Sequence, residues 1–300
     1  MNKSSIFNIQ YLLSNERGSA LIITLLLVSI LVGLVVDFVY EVYIDSSSLS
    51  NWANAQRASL VARSGQVLSS RYLREIRKYS YTDVREALLP VTMDFGPDTA
   101  LVVKVEDENS RFNINSIIRQ NGLTNEDALS SLKKLLEYLN INSDMALVIA
   151  DWIDPDSEPR LSGSEDVAKN TFLWSVDELK LIEGMDQGTF DKIRPYITVY
   201  GDGRININTA DLPVLVSLHK DITETLAKRI IAYRKDTPFE EPSYIQRVSG
   251  MEATGMLLIG RIESRSSCFR IISTAKVEEI TRVIESVMDT SGNIYFWREG

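Results

Sequence analysis

The chain has 300 residues, of which 44% are hydrophobic and 24% charged, so it can fold into one large or two modest domains and is not a disordered chain. Its net charge of −9 argues against a general nucleic-acid surface, which is normally basic, and suits cation binding. The single Cys268 excludes an intrachain disulfide and a cysteine-built zinc site, and the single His219 has no nucleophile motif near it that would indicate a serine-type triad.

Near the start, an uncharged apolar run of 18 residues extends from Ser19 to Val36. That is about the shortest run that spans a bilayer core as a helix, so it predicts a single transmembrane helix. A secretory signal places its small-residue cleavage site after the apolar core, whereas here Arg17 and Gly18 stand before it. A cut after Gly18 would therefore leave the helix on the mature chain.

Arg17-Gly18-Ser19 before an apolar helix resembles the leader of a type IV prepilin. The resemblance implies cleavage between Gly18 and Ser19 on the cytoplasmic face and N-methylation of Ser19. Most proteins of that class carry a glutamate at the fifth mature position, which neutralises the terminal amine of a neighbouring subunit inside the membrane. Ile23 stands there instead, which favours a subunit with no neighbour above it, at a filament tip. The alternative is an ordinary signal anchor.

The helix is predicted to continue beyond the apolar run. Apolar residues recur at spacings of three, four and seven, with polar residues on the opposite face, and no proline occurs before Pro90. One helix from about Ser19 to Lys78 is therefore predicted, with its lower half in lipid and its upper half packed on a soluble domain. The alternative is two helices with a break near residues 46–48.

Alternating apolar residues predict an antiparallel sheet whose strands come from both ends of the soluble part. One strand is predicted at Thr99–Glu106, and three more form a meander at Cys268–Val277, Ile280–Met288 and Ile294–Trp297. A long helix packed on such a sheet is the pilin-like architecture. About 150 residues separate the first strand from the others, which indicates a large insert.

The insert contains an internal repeat. Arg111–Ser116 (RFNINS) recurs as Arg204–Thr209 (RININT), and helical patterning follows each copy. The helices predicted after the two copies are Leu129–Leu139 and Met145–Trp152, then Leu212–Leu218 and Thr225–Tyr233. The pattern indicates a duplicated helical unit in which Ser116 and Thr209 cap the next helix and the asparagines bond the backbone of turns.

Residues 151–166 form an acidic loop with six carboxylates, which would repel one another without a counterion. Oxygen ligands at this density favour calcium. Counting from Asp154 places acidic side chains and the Arg160 carbonyl in the register of an EF-hand, but Pro159 stands where an EF-hand needs a glycine. An irregular calcium loop is therefore predicted. A merely solvated acidic loop and a paired-carboxylate hydrolase are the alternatives.

Taken together, the chain resembles the K class of minor pseudopilins of the type II secretion system. The motifs that carry the resemblance span most of the chain and occur in the family's order: Arg17-Gly18-Ser19-Ala20-Leu21 with Ile23, Asn113-Ile114-Asn115, Asp151-Trp152-Ile153-Asp154-Pro155-Asp156, Gly163-Ser164-Glu165-Asp166 and Ile207-Asn208-Thr209-Ala210.

The resemblance implies a calcium-binding protein of an assembly, with no bond chemistry of its own. The implied calcium ligands are Asp151, Asp154, Asp156, Glu165 and Asp166. Family members often have aromatic residues soon after the Glu-Asp pair, whereas here residues 167–170 intervene before Phe172. The implied partners are the I-class and J-class minor pseudopilins in a tip complex, the prepilin peptidase and the inner-membrane secretion platform.

The predicted fold class is α+β: a pilin-like long helix on a small antiparallel sheet, with a large duplicated, SAM-like helical domain inserted. The inner membrane would hold the chain by one span, with the C-terminal part in the periplasm. The predicted segments are a leader at 1–18, the transmembrane helix at 19–36, the helix continuation and first strands at 37–112, the insert at 113–261 with repeats at about 113–196 and 204–258, and the last strands at 262–300.

A membrane-anchored DNA receptor is the rival hypothesis. Ile207–Ala210 and the helix that follows also resemble helix-hairpin-helix modules, which bind phosphate through the backbone amides of glycine-rich hairpins. The corresponding turns here, Lys220–Thr223 and Gly250–Ala253, lack paired glycines and carry an acidic residue. They should repel phosphate, so no nucleic-acid partner is expected.

Overall fold

The computed structural model describes the backbone of residues 4–164 and 168–300, with side chains from Gly18 onward. Glu165 and Asp166, two of the predicted calcium ligands, lie outside the described residues. The chain divides after Arg57 into two compact units, Met1–Arg57 and Ala58–Gly300.

Helix α1 covers Ser4–Ile76 and is continuous through residues 46–48, so the prediction of one long helix is confirmed and a break there is wrong. Its end lies within two residues of the predicted Lys78. In the described part of the chain, Gly18–Ile76 holds the one segment long and apolar enough to cross a membrane, with a mean hydropathy of 2.9 and none of that segment buried. The side chains from Gly18 to Ser50 are all exposed, as expected of a lipid-facing helix.

The second unit contains a five-stranded antiparallel sheet and a helical insert. Its strands are β1 (Glu86–Leu89), β2 (Thr99–Asp107), β3 (Phe112–Asn113), β4 (Ile197–Thr198), β5 (Ile205–Asn206), β6 (Ile262–Glu263), β7 (Cys268–Val277), β8 (Ile280–Asp289) and β9 (Ile294–Glu299). The large sheet has the order β1-β2-β7-β8-β9, with all neighbours antiparallel. The predicted fold, a pilin-like helix and sheet with an insert, is confirmed.

The part of α1 within the second unit packs on the sheet. Val61, Ala62 and Leu73 join Val103 and Ile271 in one apolar core, in which alternate residues of β7 are buried as the two-residue period requires. Hydrogen bonds fix the contact: the Ser273 hydroxyl donates to the Ala62 carbonyl at 2.7 Å, and the Ser286 hydroxyl donates to the Gln66 side chain at 2.6 Å.

All of residues 108–267 lie between β2 and β7, which are nevertheless hydrogen-bonded neighbours. The helices of this insert are α2 (Glu126–Tyr138), α3 (Met145–Ile153), α4 (Gln187–Ile193), α5 (Leu212–Ser217), α6 (Glu224–Asp236) and α7 (Thr254–Leu257). A second, larger apolar core runs through them. The insert is thus a folded domain with its own interior, joined to the sheet at both of its ends.

The internal repeat is visible in the strand pairing. In the first copy β3 pairs in parallel with β4, and in the second copy β5 pairs in parallel with β6. Each short pair joins the start of a repeat to its end, so each copy closes on itself. Because the two copies share this topology, the predicted duplication is confirmed.

The asparagines of the two motifs make matching hydrogen bonds. The Asn115 side chain accepts from the Leu173 amide and donates to the carbonyls of Leu173 and Val199. In the second copy, Asn208 accepts from the Phe239 amide and donates to the carbonyls of Phe239 and Ser264. These bonds reach backbone that is 31 to 84 residues away in the sequence. The predicted bonds to turn backbone are made by Asn113 and Asn206, whose Oδ1 atoms accept from the amides two residues on at 3.0 and 2.9 Å.

The predicted capping role of Ser116 and Thr209 is wrong. Ser116 lies inside a 3₁₀ turn, Ile114–Ile117, whose N-cap is Asn113. The Thr209 hydroxyl donates to the Asp107 carboxylate at 2.5 Å. In the first copy Asn113 takes the capping position, because its Oδ1 accepts from the Asn115 amide at 3.0 Å. The helices that follow the two copies, α2 and α5, have Asn125 and Asp211 at their N-caps.

Asp107 joins the insert to the sheet. It is the last residue of β2, it is 1% exposed, and its Oδ2 accepts from the hydroxyls of Thr209 and Ser266 at 2.5 and 2.6 Å. Burial raises its pKa to about 6. One buried carboxylate therefore holds the second repeat and the chain segment that leads into β7.

Candidate functional site

The predicted processing site lies within α1. Gly18 is exposed, and no atom lies within 4 Å of the position that a Cβ would take there. Ile23 is 58% exposed. The hydroxyl of Thr24 donates to the Leu21 carbonyl at 2.9 Å, which satisfies the polar group of this side chain inside an apolar segment. A side chain as apolar as Ile23 has no group that could neutralise an amine in lipid.

The acidic loop starts in the last turn of α3. Asp151 and Asp154 are three residues apart, lie on one side of the chain, and are both fully buried. Asp156 is exposed, and its Oδ1 accepts from the Glu158 amide at 2.9 Å, as in a turn that an aspartate stabilises. Of the three predicted ligands that the structure describes, two are therefore brought together and the third faces solvent.

Arg160 lies between the two buried carboxylates. Its Nη1 donates to Asp151 Oδ1 at 2.5 Å and also to Asp154 Oδ2, and its Nη2 donates to the Thr124 hydroxyl at 2.8 Å. Its backbone amide donates to Asp151 Oδ2 at 2.8 Å, and the Ser164 hydroxyl donates to the same oxygen. Sequence reasoning assigned only the carbonyl of Arg160, although this is the only basic residue in 151–166.

Two buried oxygens near the loop have no hydrogen-bond partner among the described residues. They are Asp154 Oδ1 and Asn170 Oδ1. Asn170 lies beside the loop because its backbone N–H donates to the Trp152 carbonyl at 3.0 Å. Burial raises the pKa of Asp154, and the hydrogen bond and charge of Arg160 only partly offset that effect. Sequence reasoning missed Asn170, which lies beyond the acidic run.

The residues present fit calcium in their chemistry. Calcium takes six to eight oxygen ligands, and this loop offers two buried carboxylates, with the amide oxygen of Asn170 beside it. Among the described residues, Asp154 Oδ1 and Asn170 Oδ1 have no hydrogen-bond partner. Among the described residues, no group of three or more His, Cys, Asp or Glu side chains is arranged around a common point. The oxygen ligands are thus of the type that calcium prefers, but the Arg160 guanidinium lies between the two buried carboxylates.

The loop is held against the turn before α2. Gly122 has a φ of +82°, and a Cβ at this position would lie 2.8 Å from Pro155 Cγ. Only glycine adopts this conformation readily and leaves room for the proline. On the far side of the loop, Lys169 Nζ donates to Glu178 at 2.5 Å and lies 4.6 Å from the centre of the Trp174 ring. Both flanks of the loop are thus fixed.

Comparison with known proteins finds matches along most of the insert. Two family models, both described as protein K of the type II secretion system, match residues 110–202 and 205–257. They correspond to the two repeats that the strand pairing closes.

Curated relatives extend the similarity over most of the chain. Type II secretion system protein K of Pseudomonas aeruginosa is 25% identical over 75% of this chain and 74% of the relative. The protein of the same name from Aeromonas hydrophila is 24% identical over 91% of this chain and 92% of the relative.

A solved structure shows the same fold. A chain in the crystal structure of the GspK-GspI-GspJ complex from the type 2 secretion system of enterotoxigenic Escherichia coli has a TM-score of 0.66 at 19% identity. The match covers 85% of this chain and 99% of that one. Over both repeats and most of its length, the chain is thus similar to protein K of the type II secretion system.

Proposed function

We propose that the chain is a minor pseudopilin at the tip of the type II secretion pseudopilus. The observation that carries the proposal is the folded domain formed by residues 108–267 between two neighbouring strands of a pilin-like sheet. A domain of this size fits poorly among subunits stacked around a filament axis, and it meets no such obstacle at the end of a filament.

Ile23 supports the same position. A subunit inside a filament needs a carboxylate to neutralise the amine of its neighbour in the membrane, where an unpaired charge is costly. At the fifth position after Gly18, this chain offers only an alkyl side chain. The uppermost subunit has no neighbour whose amine would need that pair.

The proposed partners are I-class and J-class minor pseudopilins, since the similar solved structure is a complex of GspK with GspI and GspJ. With them the chain would start pseudopilus assembly on the inner-membrane platform and support export of folded proteins across the outer membrane. The test is co-purification of the full chain from detergent with I-class and J-class subunits of the same organism. Elution of all three as one complex is expected, and separate elution at micromolar concentration would argue against the tip complex.

We also propose that the prepilin peptidase cuts between Gly18 and Ser19 and that Ser19 is then methylated. The single apolar helix would remain in the inner membrane with the rest of the chain in the periplasm. Gly18→Ala should block removal of the leader, seen as a larger species on a gel and as the unprocessed mass. Gly33→Ala, a second exposed glycine of α1, is the control and should be processed normally. Normal processing of Gly18→Ala would refute the assignment.

We propose that the acidic loop binds calcium through Asp151, Asp154 and Asp156, with Glu165 and Asp166 as further ligands. When bound, the ion would neutralise buried carboxylates and tie the loop to the end of α3. Calcium should raise the melting temperature of the full chain in detergent, because a ligand that binds only the folded state stabilises it. Asp154→Ala should abolish the increase. Absence of any increase with the wild-type protein would remove the metal proposal.

An assembly role without catalysis and without DNA binding is part of the proposal. In the turn at Gly250, the amide that a phosphate would need already donates to the Glu252 carboxylate at 3.0 Å. A carboxylate in that place repels phosphate. A mobility-shift assay with duplex DNA at low salt should show no complex, and tight, salt-sensitive binding would favour the DNA-receptor hypothesis instead.

A further inference from the structure

Arg160 gives the acidic loop a cation of its own. Its side chain is 23% exposed, whereas the side chains of Asp151 and Asp154 are fully buried. Taking one partner away from such a pair leaves an uncompensated buried charge, which is strongly destabilising. In the metal-free protein, the guanidinium therefore does what a bound metal ion would otherwise do.

A calcium ion and this guanidinium would claim the same oxygens. Arg160 Nη1 bonds Asp151 Oδ1 and Asp154 Oδ2 at once, so an ion that bridges the two carboxylates must take its place. Two positive charges within a few ångströms also repel each other strongly where water is scarce. Simultaneous occupancy is thus excluded by both geometry and charge.

The oxygens that Arg160 leaves unpaired point to a ligand independently of the acidic cluster. Asp154 Oδ1 belongs to a fully buried side chain and has no partner among the described residues. Asn170 is half-buried, but its Oδ1 atom is buried and likewise has no partner among those residues. An arginine that satisfied the loop completely would leave neither oxygen unpaired, since an unpaired buried polar group costs about 1–3 kcal/mol. The guanidinium is thus an incomplete substitute for an ion with more coordination positions.

We propose that Arg160 is an internal counterion that competes with calcium for Asp151 and Asp154, and so lowers the calcium affinity of the loop while keeping it folded without metal. The inference rests on the calcium site proposed above. Because the arginine side chain is partly exposed and long, it can swing into solvent when the ion enters, giving up its bond to the Thr124 hydroxyl.

The test compares Arg160→Gln with the wild-type full chain in detergent, by calorimetric titration with calcium chloride and by thermal melting. Removal of the competing charge should make calcium binding about tenfold tighter or more, which corresponds to about 1.4 kcal/mol. In a calcium chelator the variant should melt below the wild type, because two buried carboxylates have lost their counterion. Saturating calcium should remove that difference.

Two further variants make the result specific. Arg204→Gln removes an arginine that pairs with Asp202 in the second repeat and is 50% exposed, and it should leave calcium affinity unchanged. Arg160→Lys keeps a positive charge but loses the forked geometry, so its affinity should fall between those of wild type and Arg160→Gln. It also serves if Arg160→Gln does not fold without calcium.

The outcomes separate this inference from the calcium site itself. If the wild type binds calcium and Arg160→Gln and Arg160→Lys bind it equally well, the competition is overturned and the site stands. If no variant binds calcium, both are overturned. If the wild type does not bind and Arg160→Gln does, the competition is supported in its strongest form.

Discussion

At the scale of single residues, buried carboxylates determine how the stability of the second unit depends on pH. Glu263 is 8% exposed, its Oε1 has no partner among the described residues, and its nearest cation, Arg204 Nε, lies 3.9 Å from Oε2. Burial raises its pKa to about 8, and the negative charges of Asp202 and Asp107 add to the effect. The folded state therefore holds a proton that the unfolded state releases.

This shift predicts a loss of stability as the pH rises. The contribution of Glu263 is fully present below its ordinary pKa of 4.5 and is lost as the pH rises to about 8. Glu263→Gln should therefore melt higher than the wild type at pH 8, by about 2–4 °C for each kcal/mol gained, and should match it at pH 4.5. Glu279→Gln, at a 96% exposed side chain, is the control for melting curves at both pH values. Equal melting of Glu263→Gln and wild type at pH 8 would contradict the assignment.

A second prediction at this scale concerns Asn115 and Asn208, which occupy matching positions in the two repeats. Asn208→Ala removes a side chain that makes three buried hydrogen bonds and leaves backbone groups of Phe239 and Ser264 unpaired. We expect a loss of about 2–4 kcal/mol in the free energy of unfolding, measured by urea denaturation. Asn115→Ala should cost a similar amount because it makes the matching bonds. A cost below 1 kcal/mol for both would show that water replaces the amide.

The role of a residue is predictable from sequence where its side chain bonds residues that are close to it along the chain. Asn113 and Asn206 could be assigned to turn backbone because a short amide side chain commonly bonds the amide two residues on. The long-range bonds of Asn115 and Asn208 depend on the fold and could not be assigned in this way. The role of the Arg160 side chain could not, because a guanidinium on a long stem reaches any carboxylate that the fold brings near. Its placement depends on how α3 ends and on where the turn before α2 lies, and neither is encoded in the spacing of the loop.

At the scale of elements, long and regular segments were predictable, whereas short ones were predicted only in part. The six-residue α5 was predicted as Leu212–Leu218. The start of β2 and both ends of β7 agree with the predicted strands, because alternation over nine or ten residues is a strong signal. Strand β1 has four residues and helix α4 has seven, and both were missed. Such short elements are stabilised by their neighbours more than by their own pattern.

The contact between α1 and the sheet depends on a small residue. A Cβ at Gly65 would lie 2.8 Å from Val103 Cγ2 and would also collide with the Ser273 side chain. Gly65→Ala should therefore destabilise the second unit by about 1–3 kcal/mol, although alanine favours helix.

Gly33→Ala is the matched control, since it is a glycine of the same helix with nothing within 4 Å of its Cβ position. Thermal melting of the full chain in detergent, followed by the near-ultraviolet signal, distinguishes the two. A Gly65→Ala variant that melts at or above the wild type would mean that helix and sheet do not pack this closely.

At the scale of the whole molecule, the order of motifs along the chain predicted the architecture. The separation of β2 from β7 indicated an insert, and the recurrence of one six-residue motif indicated its duplication. The joint between insert and sheet was not predictable. Asp107 lies just beyond the predicted strand Thr99–Glu106, and nothing in the sequence marks it as a joint. Only the fold brings Thr209 and Ser266 to its carboxylate.

The place of the insert has a consequence for the order of folding. Pairing β2 with β7 in an unfolded chain would close a loop of all residues 108–267, and the entropy cost of closure rises with loop length. A folded insert shortens that loop, because Asp107 Oδ2 and Ser266 Oγ lie 2.6 Å apart at its two ends. We therefore expect amides of α2 and α6 to gain protection before those of β2 and β7 in pulsed hydrogen exchange during refolding. The inserted domain would then act as the template on which the pilin-like sheet is completed, and earlier protection of β2 would rule this out.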